Sequence, residues 1–383
     1  MFNSNYIITT ISGFLIFISF YLLMPVIAMY CIDEFEITAA EAGFVLSSYI
    51  ISALLSRPFS GFLVDKYDHR KFYTFTVAVF ALLLFGYLIS KSVAALILTR
   101  ILLGVCFAMA TTCVNTLVID VLPSARRSEG LSYYSAFTVI SMAIGPMIGL
   151  YLLEIFSYRG LFLSAIASSI LAFVLVLFIR TKPRTQAPPK EVLSFDRFVL
   201  KKGIGVAVII AFMYFMYGTL MAYMALYVKE VNLDMPASLF FLLFAVGIII
   251  SRLMTGKALN EGKQLYVVQG GIVLVILASL LLIFFINDYT FLISSVLLGA
   301  GFGVSGPAIQ TLLINMANHN RRGTANATYF LALDLGSGLG MFFGGLLASS
   351  YNYKIVYLFG LGLIIIACLY LNLYLKNKLK RQE

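Results

Sequence analysis

Two charged residues stand where charge is costly. Asp334 lies mid-way through the apolar run Tyr329-Phe-Leu-Ala-Leu-Asp334-Leu-Gly-Ser-Gly338 and is the only acid placed deep inside such a run. Arg100 falls seven residues past Val93 in another. A charge at the centre of a membrane helix costs about 2.5–3.5 kcal/mol on insertion scales, so each should face protein or a water-filled cavity. Arg100 has a second option, because its long stem could snorkel to the nearer interface. A carboxyl withdrawn from water holds its proton more tightly and can exchange it near neutral pH, which is the chemistry that proton coupling requires. Asp334 and Arg100 are therefore the candidate proton-coupling residues. The plainer alternative for Asp334 is a static acid bonded to an Arg or Tyr, with Asp120 or Glu154 at helix ends serving in its place. Enzyme chemistry has no matching set of residues. Cys31, Cys106, Cys113 and Cys368 are scattered through apolar runs without a CxxC or a Cys/His cluster, so they read as small hydrophobes. His69 and His319 fall in polar loops and are expected to lack partners, so neither a metal site nor a cofactor is expected.

The elements that must carry these residues follow from composition. The chain has 383 residues, 61% hydrophobic and 11% charged, with a mean hydropathy of +0.97. A soluble domain carries about 25% charged residues, so a cytosolic enzyme, a secreted scaffold and a disordered regulator are all excluded. The net charge of +10 would suggest nucleic acid in a soluble protein. Here it reports basic loops, and the bilayer, not nucleic acid, is the expected partner. A span needs about 20 apolar residues. Twelve such runs are expected, near 7–29, 41–64, 72–90, 93–119, 130–153, 159–180, 203–228, 236–258, 265–286, 289–316, 324–349 and 353–375. The N-terminus MFNSNYIITT lacks a basic n-region and a cleavage site, so the first run should stay as a helix. Alternating the loops between two sides collects Lys66, Arg70, Lys71, Arg126, Arg127, the bases from Arg180 to Lys202, Lys257, Lys263, Arg321, Arg322 and the basic tail on one of them. The other side has Lys91, Arg159, Lys229 and Lys354. By the positive-inside rule both termini and the long middle loop are expected to be cytoplasmic, in a multi-pass protein of the cell (inner) membrane.

That middle loop contains TKPRTQAPPKE, whose prolines and bases cannot continue either flanking helix. It divides the chain into an N-terminal six-helix half, 1–180, a cytoplasmic linker, 181–202, and a C-terminal six-helix half, 203–383. The halves repeat each other at one shift of 195 residues: Ser56-Arg57-x-x-Ser60-Gly61 falls on Ser251-Arg252-x-x-Thr255-Gly256, and Leu102-Leu103-Gly104 on Leu297-Leu298-Gly299. Arg126-Arg127, Tyr134, Gly145 and Gly149 meet Arg321-Arg322, Tyr329, Gly340 and Gly344 at the same shift. A parallel repeat with an even number of spans is one of the designs of secondary transporters.

Three motifs sharpen this. Gly61-x3-Asp65-Lys66-x-Asp68-x-Arg70-Lys71 resembles the signature of the major facilitator superfamily, with Asp68 where a second glycine is usual. Asp tolerates a left-handed turn better than most residues, so the departure is expected to matter little. The resemblance implies a cytoplasmic gate latch made of Gly61, Asp65, Lys66, Arg70 and Lys71; from the residues alone, Gly61 should be close-packed and Asp65 a helix-end anion. An ordinary basic loop is the alternative. The second copy, Gly256 to Lys263, is degenerate. Arg100-x3-Gly104-x3-Ala108 looks like the family's second motif. Ser132-x8-Ser141-x3-Gly145-Pro146-x2-Gly149 is similar to its antiporter motif, with serine at the first two glycine positions. Small residues let two helix backbones approach, and Gly336, Gly340 and Gly344 form a like seam in the second half. Asp334, Gly338, Met341 and Gly345 share another face, which could leave the acid in a cavity.

In this family the first, fourth, seventh and tenth spans line the central cavity. The resemblance therefore implies a substrate cavity with Tyr21, Asn115, Tyr214, Tyr217 and Gln310 on its wall, Asn115 and Gln310 being equivalent at the 195 shift. Tyr223 and Met213, Met216, Met221 and Met224 would add rings and adaptable thioethers, although any single one of these Tyr or Met residues is more often plain packing. Such a wall suits an amphipathic organic solute. The expectation is an all-α, twelve-helix transporter resembling the bacterial drug:proton antiporters, monomeric, exporting its solute in exchange for protons. A proton-coupled importer, or a sugar or metallophore efflux carrier, shares the fold. A membrane-bound enzyme lacks a nucleophile and base, and a transporter-like sensor lacks room for a soluble domain.

Overall fold

The computed structural model describes residues 3–122, 127–180, 199–261, 263–317 and 322–375. Nearly all of these are helical, because a chain in lipid must satisfy its backbone polar groups within each segment. In chain order the helices are α1 (Ser4–Tyr21), α2 (Met24–Phe35), α3 (Ala39–Lys66), α4 (His69–Leu84), α5 (Gly86–Ile89), α6 (Val93–Asp120), α7 (Arg127–Ile155), α8 (Tyr158–Leu177), α9 (Ile204–Glu230), α10 (Ala237–Asn260), α11 (Gln264–Phe284), α12 (Asp288–Asn315), α13 (Arg322–Ser350) and α14 (Tyr353–Tyr370). Among the described residues they make twelve segments long and apolar enough to cross a membrane, from Ser4–Phe35 to Tyr353–Leu373. The fold is the all-α, twelve-span architecture that the hydropathy pattern predicts.

Two spans are each built from two helices. The first breaks between Tyr21 and Met24, where Pro25 has no N–H to return to the carbonyl of Tyr21. The third breaks at Phe85, before Gly86. Several starts are capped by short polar side chains: Asn3 accepts from the Tyr6 N–H, Asp68 from Lys71, Ser92 from Ala95 and Asn352 from Ile355. Asn287 and Thr290 form a reciprocal capping box. Each cap satisfies a donor that the helix leaves open, worth about 1 kcal/mol.

The chain groups into two compact units, Met1–Glu36 with Ser48–Leu193, and Ile37–Ser47 with Ser194–Glu383. Inside each unit the same contacts recur. In the first, a Cβ on Gly104 of α6 would lie 2.2 Å from the Tyr49 carbonyl oxygen of α3; in the second, one on Gly299 of α12 would lie 2.0 Å from the Phe244 carbonyl oxygen of α10. Gly145 and Gly149 of α7 meet Tyr21 and Leu22 of the first span, with the Leu22 carbonyl 1.9 Å from a Cβ at Gly149. Gly336 and Gly340 of α13 meet the carbonyls of Ala211 and Phe215 in α9 at 2.3 and 2.2 Å. These glycines are required by backbone contact. The 195-residue repeat is thus a repeat of packing as well as of letters.

Candidate functional site

In the first unit Arg100 is 2% exposed, so it does not snorkel. Its Nη1 donates to the Tyr87 hydroxyl at 3.2 Å, and its guanidinium stands 5.1 Å from the centre of the Tyr49 ring. A hydrogen bond and a ring face both offset desolvation of a buried cation. A cavity of about 10 Å³, lined by Ser19, Tyr49, Tyr87 and Arg100 among others, has room for roughly one water. Tyr21 stacks at 15° on Phe17 and meets Phe20 edge-on, while its backbone lies under Gly145. Asn115 donates to its own helix, to the Thr111 carbonyl at 2.7 Å.

The seam expected for the fifth span is present, with the first span as its partner. Ser141 donates to the Phe137 carbonyl and reaches that of Phe14 at 3.4 Å, continuing the Gly145 and Gly149 contacts along one face. Pro146 lies inside α7 without ending it, whereas the side chain of Ser132 lies outside the described residues.

The latch motif reads differently. No described heavy atom lies within 4 Å of a Cβ built on Gly61, so that glycine is not close-packed as its sequence suggests. Asp68 does not take a left-handed turn. Its φ of −61° and ψ of 121° are extended, and its carboxylate caps α4 by accepting from the Lys71 N–H at 2.9 Å. An aspartate serves here because an N-cap needs a side-chain acceptor, which glycine lacks. Arg70 donates to the Leu177 carbonyl at 3.0 Å, and Lys66 is exposed beside the Tyr67 ring. The Asp65 side chain lies outside the described residues, as do Arg126 and His319.

Sequence reasoning also missed a pair. His69 is the first residue of α4, only 9% exposed, and its Nδ1 lies 2.5 Å from Asp120 Oδ2 at the end of α6. The Cys113 thiol donates to the His69 carbonyl. The expectation that His69 has no partner is therefore wrong. The only signal available was that a helix start and a helix end on consecutive long spans must meet at one membrane surface.

In the second unit Asp334 is 7% exposed, the one buried acid among the described residues. Gly336 and Gly340 press α13 onto α9, as the small-residue spacing predicts, and Gly344 meets Thr219 and Tyr223. The far end of the acid's own stripe is packed too: the Met341 carbonyl accepts from the Tyr223 hydroxyl, and Gly345 lies against Ala39 and Gly43. Tyr214 and Tyr217 touch at 5.5 Å between ring centres, and both meet Phe302. Tyr214 also shares a hydroxyl–hydroxyl bond of 3.1 Å with Tyr329. Gln310 donates to Asn326 of α13 at 2.6 Å, so it is tied across helices whereas its counterpart Asn115 bonds within its own. The methionines of α9 follow the packing alternative. Met213, Met216, Met221 and Met224 are all at most 1% exposed, and Met216 fills the space beside Gly360 of α14. They serve as packing, the usual use of a flexible thioether.

A buried acid, a buried arginine and glycine-rich seams repeated in two units describe a transporter more readily than an enzyme. The family model of the Major Facilitator Superfamily matches residues 9–275 and 262–383. The chain belongs to the major facilitator superfamily. It is a multi-pass membrane transporter, not an enzyme, and a small-molecule substrate in a bilayer setting is what membership entails. Among similar superfamily members is the quinolone resistance protein NorA of Staphylococcus aureus (strain MRSA252), 22% identical over the whole of both chains. The MFS-type transporter YhhS of Escherichia coli (strain K12) is 26% identical over 90% of this chain and 86% of its own. A crystal structure of the nucleoside transporter NupG superposes with a TM-score of 0.78 at 16% identity, covering 96% of this chain and 98% of that one, which establishes the shared fold.

Proposed function

We propose that this transporter is a proton-coupled antiporter that exports a small amphipathic organic solute by alternating access of two six-helix halves, 1–180 and 203–383. The observation that carries the reading is Asp334. A carboxyl that is 7% exposed in a membrane span is costly when ionised, and proton exchange gives it a function that packing alone does not require. The intact GPxxG core at Gly145 to Gly149 and the similarity to a quinolone resistance protein favour export. Aromatic faces such as Tyr214, Tyr217 and Tyr21 suit flat organic cargo. Both termini lie on the cytoplasmic side of the cell membrane, the protein works as a monomer, and Gly61, Asp65, Lys66, Arg70 and Lys71 form the cytoplasmic latch. Arg100 acts with its two tyrosines as a fixed cationic post for the proton path.

The test uses inverted membrane vesicles with an imposed pH gradient and norfloxacin as probe. Export in cells appears there as uphill accumulation that consumes the gradient. Asp334→Asn mimics the protonated acid, so it should abolish uphill accumulation while keeping downhill exchange. Uphill accumulation by Asp334→Asn at the parent rate would move coupling elsewhere, with Asp120 the next candidate. Extrusion from inverted vesicles, the reverse direction, would replace the exporter with a proton-coupled importer.

A further inference from the structure

One cation of the second unit has no part in the coupling proposed above. Arg252 lies near the end of the eighth span, and its Nε is buried without a hydrogen-bond partner among the described residues. Among the described residues, those acting on it electrostatically are the phenols of Tyr214 and Tyr329, with no carboxylate among them. A guanidinium taken out of water is normally matched by an anion, since an uncompensated buried charge is strongly unfavourable.

Geometry places Arg252 beside the stretch of α12 that holds Gly306: its neighbour Ser251 lies against Gly303, where a Cβ would come 2.5 Å from the serine hydroxyl, one turn before Gly306. Tyr214 on α9 and Tyr329 on α13 bring their hydroxyl oxygens to 3.1 Å. With Tyr329 as the donor of that bond, the proton of Tyr214 is the one an oxyanion would accept. Beside the pair lies Gly306 of α12, where a Cβ would meet the two hydroxyls at 3.3 and 3.5 Å and no other described heavy atom within 4 Å. The missing side chain leaves a notch bounded by the phenols. The repeat shows that this arrangement belongs to the second unit. At the 195 shift Arg252 corresponds to Arg57 and Tyr329 to Tyr134, but Tyr214 corresponds to Ser19, which cannot reach as a phenol does.

We propose that Arg252, with the hydroxyl pair of Tyr214 and Tyr329 and the notch at Gly306, forms an oxyanion subsite that receives a carboxylate of the transported solute. This rests on the amphipathic-solute reading and narrows it: the cargo class is aromatic or amphipathic carboxylic acids and zwitterions, with the Tyr214–Tyr217–Phe302 rings meeting the apolar body. Planar guanidinium N–H groups suit the two oxygens of a carboxylate.

The experiment uses two probes with one chromophore, rhodamine 110, which has a free carboxylate, and its methyl ester rhodamine 123. Binding to the purified full-length protein in non-ionic detergent is read by fluorescence anisotropy. The parent should bind the acid about tenfold more tightly than the ester, the size of one charge-assisted hydrogen bond. Arg252→Gln and Gly306→Ala should bring that ratio to about one with ester affinity held within about threefold, and Arg252→Lys should restore a preference of several-fold. A merely structural Arg252 would change both probes together. Equal affinity of the parent for both probes, or an unchanged ratio in Arg252→Gln, overturns the subsite and leaves the transport reading standing. Failure of the parent to bind either probe overturns the amphipathic-solute reading and the subsite with it.

Discussion

At the scale of residues, the informative groups are those whose burial conflicts with their charge. Arg100 resolves the conflict locally, through the Tyr87 hydroxyl and the Tyr49 ring. Breaking such a bond leaves polar atoms buried, so Arg100→Gln should destabilise the protein by about 2–3 kcal/mol, with Arg100→Lys between it and the parent. The bond itself is isolated by a double-mutant cycle with Tyr87→Phe, read from thermal unfolding in detergent. Additive effects of the two substitutions would mean that Arg100 is held by something else. His69, a nearly buried polar ring, has Asp120 on the next long span as its hydrogen-bond partner. Asp334 differs from both, because its proposed role requires that its partner change during transport.

At the scale of elements, the controlling feature is how closely backbones pass. A methyl group at Gly149 would fall 1.9 Å from the Leu22 carbonyl, at the point where α1 gives way to α2, and one at Gly340 would fall 2.2 Å from the Phe215 carbonyl. Neither backbone can yield cheaply. Gly149→Ala and Gly340→Ala should each cost about 1–3 kcal/mol, from overpacking a filled seam. Gly61→Ala, with no described atom within 4 Å, should gain the small helix-propensity advantage of alanine or stay neutral. Melting temperatures of the three variants in one detergent check this. Equal shifts for Gly61 and Gly149 would show that the seam does not govern stability. The break at Tyr21–Met24 places the bend of the first span against the glycines of the fifth, so sequence-encoded proline and glycine act on the same contact from two helices.

At the scale of the whole molecule, the repeat recurs in the packing of two compact units, each sealed by its own glycine contacts. The latch proposal belongs here, since its effect is on the change between states and not on a binding surface. Asp65→Asn should slow turnover in proteoliposomes while leaving norfloxacin affinity within about threefold, a change in rate without a matching change in binding. Parent-like turnover with Asp65→Asn would remove the latch.

Hydropathy, turn residues and small-residue spacing are local properties of the chain, and lipid leaves a segment little choice but a helix, so the twelve spans, their order and the glycine seams are legible in the sequence. So are the family signatures and the isolation of Asp334, because a charge among apolar letters is conspicuous at any fold. Who meets whom is a different matter. Tyr214 and Tyr329 are separated by 115 residues, and His69 and Asp120 by 51. Gly61 and Gly149 look alike in a motif, yet one lies open and the other against a carbonyl. The methionines of α9 look like a cavity wall and are packing. Spacing along a helix gives the face a residue occupies, but the rotation of that helix about its axis and the identity of its neighbours are set by the packing of all the helices in a unit, and only the tertiary structure decides them.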